Sequence, residues 1–337
     1  MSNRMDTITD LGRYSRAIQC LAIAPARYVP DLVEDARAGL LERPRSLPPK
    51  YFYDARGADL FNRICETPEY YPTRTEDALL QEHSDDIIAM TRPGYLIELG
   101  SGSSKKTANL FDACEKQDLS CVYAPFDICK PVLIEAADKL QDTYKWLDVR
   151  PLLGDYHAGL GNMPHYRGCK TFLFLGGTIG NFTPPEARSF ICDIRNCMDP
   201  GDFLLLGADR IKDPAVLNAA YNDAQGITAL FNLNVLRVLN RELDADFSTD
   251  SFVHSAVYNN ELNRIEMYLI SRCSQEITLG KLGMSIRVES GEKILTELSY
   301  KFYFDELETL LEECGLKVVR HFEPDNRYFS LVLTQRE

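Results

Sequence analysis

The chain holds no run of about 18 consecutive apolar residues, so nothing in it reads as a membrane-spanning helix. Its ten cysteines form no CxxC pair, and its five histidines show no HxH or HxxxH spacing. A disulfide scaffold is shorter and denser in cysteine, and a zinc site needs clustered ligands. The cysteines therefore read as free thiols of a cytoplasmic protein, and no metal is expected. Positive charge is also scarce: 37 Lys and Arg against 50 Asp and Glu leave a net charge of −13. Nucleic-acid binders concentrate basic residues on one face, so such a partner is not expected. The opening residues, MSNRMDTITDLGRYSRAIQC, carry charges and lack an apolar core, which argues against a signal peptide. There is no internal repeat and no low-complexity segment. What remains is a 337-residue chain, 45% hydrophobic and 26% charged, suited to one large globular domain or two smaller ones. A small-molecule substrate and a monomeric state are expected.

The stretch from 75 to about 210 alternates short apolar runs with helical patterns. YLIEL (95–99), VYAPFD (122–127), RPLLGD (150–155), TFLFLGG (171–177) and DFLLLGAD (202–209) read as strands. TANLFDACEKQ (107–117) and KPVLIEAADKLQDTYKWL (130–147) read as helices between them. That alternation predicts βαβ units and a parallel, doubly wound sheet. FDELETLLEECGLKVVRHFE followed by RYFSLVLTQ predicts one more helix and a closing hairpin of the same sheet. Residues 75–210 and 301–337 then form one domain, and 211–300 form an inserted α+β lobe. The segment 1–74, with short helical patterns, is expected to pack against that lobe.

The first strand runs into IELGSGSSKKT (97–107). Gly100 and Gly102 allow a tight turn and close approach to a ligand. Lys stands at 105, so this is not the GxGxxG of dinucleotide binders, and it is not a P-loop. An E-x-G-x-G loop at this place is similar to the cofactor loop of class I methyltransferases, whose methyl donor is S-adenosylmethionine. Asp127, about 25 residues beyond Gly102, ends the second strand, where a carboxylate can accept from two ribose hydroxyls. The same Asp could simply cap the helix that follows. Asp155 is placed to meet an adenine amino group with Tyr156 beside the ring, or to serve a turn. Lys106 suits the carboxylate of the methionine moiety, with Lys105 as the solvated neighbour.

Three further segments are poor core. YFYDARGADLFNRICETPEYYPTRTE (51–76) crowds tyrosine and phenylalanine into a loop-rich stretch. Tyrosine pairs a flat apolar ring with a polar tip, which suits a small polar ligand as well as packing. FLGGTIGNF (174–182) brings the amide of Asn181 to the end of the fourth strand, close to where a donor methyl would lie. In GEKILTELSYKF (291–302), Glu297 and Ser299 share one face if the segment is a strand, either inward toward a cationic or N–H-bearing substrate or outward at an edge.

Through these segments the chain resembles the ergothioneine-pathway histidine Nα-methyltransferases, from about Leu47 to the C-terminus. The matching motifs are YFYDARGADLF…PEYYPTRTE, IELGSGSSKKT, FLGGTIGNF, AYNDAQGITALFNLNVLRVLNRELDADF and TELSYKF. The resemblance implies a class I, Rossmann-like methyltransferase domain that uses S-adenosylmethionine to trimethylate L-histidine to hercynine. It implies that Gly100, Lys106, Asp127, Asp155 and Tyr156 hold the cofactor. It places Tyr53, Tyr70, Asn181, Tyr221, Met267, Glu297 and Ser299 around the substrate. Glu297, Ser299 and Tyr70 would read the imidazole, and Asn181 and Tyr221 the carboxylate and amino end. Met267 would form a wall, and Tyr53, acting through water, would be catalytic together with Asn181. Relatives within the family act on other amino acids or aromatic alkaloid precursors, so substrate identity rests on Glu297, Ser299 and Met267. A non-catalytic cofactor-binding protein is disfavoured by the intact 98–106 loop, Asp127 and Asn181. Two glycines at 176–177 depart from the family pattern of one glycine beside a small polar residue.

Overall fold

The structure is a computed structural model that describes residues 19–337. Residues 1–18 of the N-terminal segment lie outside that range. The main sheet is ordered, from one edge, Leu21–Ala22, Leu152–Leu153, Val122–Asp127, Tyr95–Leu99, Lys170–Phe174, Phe203–Asp209, Phe329–Arg336 and Leu316–Phe322. The first six run parallel; Phe329–Arg336 pairs antiparallel with Phe203–Asp209 and with Leu316–Phe322. The central strands are buried on both faces, as expected of near-continuous apolar runs; every residue of Phe203–Asp209 is buried. Helices Ala108–Lys116, Lys130–Thr143, Pro184–Cys197 and Phe304–Glu313 occupy the connections.

The chain winds outward from Tyr95–Leu99 toward one edge, then returns to Lys170–Phe174 on its other side. That reversal opens a crevice at the carboxyl ends of these two strands, the usual ligand position in such sheets. The 150–155 segment contributes less sheet than its sequence predicts. Asp148–Val149 and Leu152–Leu153 are separate two-residue pairings on Val122–Asp127, interrupted around Pro151, which has no N–H to donate.

Within residues 211–300 an antiparallel sheet joins Phe252–Asn259, Arg264–Ser271 and Lys293–Tyr300, with helix Ile227–Leu243 packed on it. Its core mixes Leu236, Leu239, Ile265, Leu269 and Ile294 with Ala36, Leu40, Phe52, Leu60 and Ile64 from the N-terminal segment. Arg45–Ser46 adds a short parallel strand beside Lys293–Tyr300. Two features depart from the expected partition. Leu21–Ala22 pairs with Leu152–Leu153 and so extends the main sheet rather than the second lobe. The boundary expected at residue 75 falls inside helix Tyr71–Thr91, which starts early because Pro72 fits its first turn.

Candidate active site

The crevice begins at the glycine loop. Gly100 and Gly102 have φ of 70° and 49°, the left-handed region that favours glycine. A Cβ on Gly100 would sit 3.5 Å from the Tyr156 ring, filling the space between loop and ring; around Gly102 there is open space. Buried Glu98 anchors the loop to the following helix by accepting from Thr107 Oγ1 at 2.7 Å and from the Tyr123 hydroxyl. Burial pushes its carboxyl up to about 7, against those hydrogen bonds.

Asp127 closes the loop from the neighbouring strand: Oδ2 accepts from Gly102 N at 2.9 Å and Oδ1 from Cys129 N at 2.9 Å. It therefore serves the local turn, yet each oxygen keeps a second lone pair. Burial raises its carboxyl, opposed by these backbone N–H groups. Asp155 uses Oδ1 to accept from His157 N at 2.8 Å and so starts a short turn that sets Tyr156. The Tyr156 ring packs among Phe174, Phe182 and Phe190, leaving a flat wall beside Gly100. Two glycines without side chains, a carboxylate with spare lone pairs and an aromatic wall fit a nucleoside with a ribose diol.

Lys105 is exposed and Lys106 turns inward. Its ammonium pairs with Glu76, which is fully buried and also accepts from Gly176 N at 2.8 Å to each oxygen. Burial works against the Lys106 charge, but Glu76 outweighs it and holds the ammonium protonated. Glu76 thus ties helix Tyr71–Thr91, the glycine loop and the end of strand Lys170–Phe174 together. Gly207 makes room for it: a Cβ there would lie 1.9 Å from Glu76 Oε1.

Tyr53, Tyr70, Asn181, Tyr221, Met267, Glu297 and Ser299 line one pocket beside Gly176 and Gly177, enclosing about 590 Å³ including its solvent-open part. That size is within the range of small-molecule sites. Each residue is set by a local device. Tyr53 follows the short turn Pro49–Phe52 and precedes Asp54. Asp54 caps helix Ala55–Glu66 through Gly57 N at 2.8 Å and is held by Asn234 and Arg241, each at 2.9 Å. Gly176 and Gly177 have φ of 82° and 68° and lead into the turn Thr178–Asn181, so both glycines are used. Gly180 in that turn presses on strand Lys293–Tyr300, where a Cβ would meet Tyr300 O at 2.5 Å. Glu297 and Ser299 share the pocket face of that strand, opposite Met267 and Ile265.

Tyr53, Tyr70 and Tyr221 form an aromatic box with Phe61 and Phe231; Tyr70 and Tyr221 meet edge to face at 6.1 Å. Burial keeps the three phenols well protonated, with Glu297 adding to the effect at each. The Glu297 carboxylate and the Asn181 amide have no hydrogen-bond partner among the described residues, although Glu297 is only 8% exposed. Burial pushes Glu297 up to about 7, and the nearby Lys301 charge pulls it back only in part.

Sequence reasoning missed a second charged layer behind this pocket. Lys301 is buried and pairs with Asp209 Oδ2 at 2.9 Å. It also donates to Ser299 Oγ at 2.8 Å and to Tyr221 Oη at 3.0 Å. Asp209 is further held by Lys212 and by the Tyr71 hydroxyl at 2.8 Å. Burial acts against its charge, but Lys301 and Lys212 keep it below the usual carboxylate range. Asp209 ends its strand at the crevice just as Asp127 does, and that was the available signal. Glu76 and Lys301 lie within segments already singled out. Phe61 and Phe231 carry only an apolar pattern. No group of three His, Cys, Asp or Glu side chains among the described residues is placed to hold a metal.

A doubly wound parallel sheet in this strand order, with its crevice at the glycine loop, defines a class I methyltransferase fold. The chain belongs to the S-adenosylmethionine-dependent, histidine-specific methyltransferases, whose family model matches residues 32–336. It is 43% identical over 305 residues to a histidine N-alpha-methyltransferase of Mycolicibacterium smegmatis, covering 90% of this chain and 95% of that protein. A histidine N-alpha-methyltransferase of Mycobacterium tuberculosis is 41% identical over the same length and coverage. A 4-dimethylallyltryptophan N-methyltransferase of Claviceps purpurea is 28% identical over 307 residues, 85% of this chain and 89% of that protein. No helix among the described residues is long and apolar enough to cross a membrane.

Proposed function

We propose that this chain transfers three methyl groups from S-adenosylmethionine to the α-amino nitrogen of L-histidine, forming hercynine in the first step of ergothioneine biosynthesis. One observation carries the reading: a free buried acceptor, Glu297, and the Ser299 hydroxyl stand in the same pocket as the free Asn181 amide and the glycine turn bordering the cofactor loop. An imidazole needs the first pair, and an amino-acid head group needs the second. An indole presents one N–H and no ring acceptor, and would leave part of that pair unmatched.

Gly100, Asp127, Asp155 and Tyr156 would hold the nucleoside of the methyl donor, and Lys106 its methionine carboxylate. When bound, the donor supplies an electrophilic methyl on a sulfonium and departs as a neutral thioether. The amine must arrive neutral, with its lone pair on the methyl carbon. A nitrogen–carbon bond forms as the carbon–sulfur bond breaks, and the electron pair goes to sulfur. An α-ammonium group ordinarily titrates at about pH 8, so a neutral fraction exists near pH 7. Positive charge across the crevice favours the neutral form further. Positioning can then supply much of the rate, roughly 7–11 kcal/mol for well-oriented groups.

Asn181 and Tyr221 orient the head group. The Tyr53 phenol stays protonated, so it serves as a hydrogen-bond relay and not as an anionic base. A proton leaves the nitrogen before each transfer and passes to solvent through water held by Tyr53. The growing amine loses N–H donors at each round, so binding must rest on the groups that do not change. Glu297 on the ring supplies that anchor, a charge-assisted bond worth roughly 1.5–3 kcal/mol. The test is mass spectrometry after incubation with S-adenosylmethionine and an equimolar pool of the twenty amino acids. Gain of up to three methyl groups by histidine alone supports the reading; methylation of another amino acid with histidine untouched overturns it.

A further inference from the structure

We propose that Lys301 is a positioning residue that fixes the polarity of Ser299, so that the pocket presents one outward hydroxyl donor beside the Glu297 acceptor and selects a ring bearing both an N–H and an unprotonated nitrogen. This rests on the reading of the pocket as a histidine site and states how the ring is recognised.

Counting protons sets the direction of each bond. An ammonium has three donors and no acceptor. Lys301 has three acceptors within reach: Asp209 Oδ2 at 2.9 Å, Tyr221 Oη at 3.0 Å and Ser299 Oγ at 2.8 Å. Ser299 and Tyr221 must both accept from it. The two hydroxyls are themselves 2.9 Å apart, so a single proton lies between them. A phenol is the stronger acid and the poorer acceptor, so Tyr221 donates and Ser299 accepts. Both lone pairs of Ser299 are then occupied, by Lys301 and by Tyr221. Its own proton has no partner among the described residues, and Ser299 lines the pocket. Without Lys301 the hydroxyl would be free to turn either as donor or as acceptor.

Glu297 only accepts when ionised, and Ser299 so fixed only donates. A neutral imidazole satisfies both at once. An imidazolium offers two N–H groups and has nothing to accept from Ser299; a pyrrole or indole offers one N–H and no acceptor. Lys301 is not needed to neutralise Asp209, which keeps Lys212 and the Tyr71 hydroxyl as partners. Replacing it therefore leaves those two partners of Asp209 in place.

The experiment compares histidine with 3-(pyrrol-2-yl)alanine, which keeps a ring N–H and lacks the ring acceptor, in the full-length enzyme. The wild type should favour histidine in kcat/KM by roughly 100-fold, because the pyrrole leaves a buried donor unpaired. K301M should raise KM for histidine about 10-fold with kcat within about threefold, and shrink the preference over the pyrrole to about 10-fold or less. S-adenosylhomocysteine binding should be unchanged, which reports an intact fold. In an S299A background, K301M should alter the preference for histidine over the pyrrole by less than about twofold, since that preference passes through the missing hydroxyl. A K301M enzyme with an unaltered ring preference, or one whose ring preference falls equally with and without Ser299, overturns the proposal. If K301M loses S-adenosylhomocysteine binding, the wild-type comparison decides, and equal use of the two rings overturns it. Failure of the wild type to methylate histidine while methylating another amine refutes the site reading itself; methylation of histidine with a silent K301M refutes this inference alone.

Discussion

Glu297 and Met267 face one another across the antiparallel strands Arg264–Ser271 and Lys293–Tyr300, and the register slips immediately after Met267. A bulge at that point re-aims the flanking side chains, a common device beside binding sites. Glu297 is buried there with no hydrogen-bond partner among the described residues, which leaves its oxygens open to the N–H of the proposed substrate.

That burial has a pH signature. Glu297 is pushed to about 7 from an ordinary value of 4.5. Below about pH 7 it protonates and loses the charge that makes it a strong acceptor, so kcat/KM for histidine should fall on the acid side. E297Q should lower kcat/KM while flattening that limb by about one proton. Stability runs the other way. A carboxyl raised in the folded state favours folding fully below its unfolded value, and this contribution is lost as pH rises from about 4.5 through 7. E297Q should therefore be more stable than the wild type at pH 8, by up to about 3 kcal/mol, with the gap closing toward pH 5. Urea titrations at the two pH values check this.

Asp127 accepts from Gly102 and Cys129 and keeps lone pairs for a ribose. D127A should weaken S-adenosylhomocysteine by roughly 10- to 100-fold, measured by calorimetry. KM for histidine at saturating cofactor should move by less than about threefold.

Gly207 and Glu76 occupy complementary volumes. G207A would place a methyl 1.9 Å from Glu76 Oε1 and 3.2 Å from the Phe329 ring. Glu76 is held by Lys106 and Gly176 and cannot yield freely. A loss of about 1–3 kcal/mol in unfolding free energy is expected, as for overpacked cores generally.

Tyr53 offers its hydroxyl to the pocket without another partner among the described residues. Y53F should slow each methylation about 10-fold in single-turnover experiments resolved by mass, with KM for histidine within about threefold. Unchanged rates for all three transfers across pH would remove the relay role.

What is legible in the sequence is local. Apolar runs between helical patterns mark the parallel strands. Gly100 and Gly102 mark the turn, and the two-residue spacing of Glu297 and Ser299 puts them on one face. Those signals need only neighbours within a few positions. Glu76, Lys212 and Lys301 are not legible, because each reads locally as an ordinary surface charge, and Asp209 shows only its place at a strand end. Their burial arises only when helix Tyr71–Thr91 and strands Phe203–Asp209 and Lys293–Tyr300 converge behind the pocket. Lys106 shows the same limit: its inward turn is readable from the loop, but its partner Glu76 lies 30 residues earlier in the chain. Leu21–Ala22 leaves no trace in the pattern because two residues carry no periodicity.

The most direct test of the account is a crystal structure with L-histidine and S-adenosylhomocysteine bound together. The account predicts one imidazole nitrogen on the Glu297 carboxylate, the other on Ser299 Oγ, and the α-nitrogen directed at the cofactor sulfur beside Asn181. A ring bound elsewhere, or an α-nitrogen turned away from the sulfur while Glu297 faces only water, would contradict it.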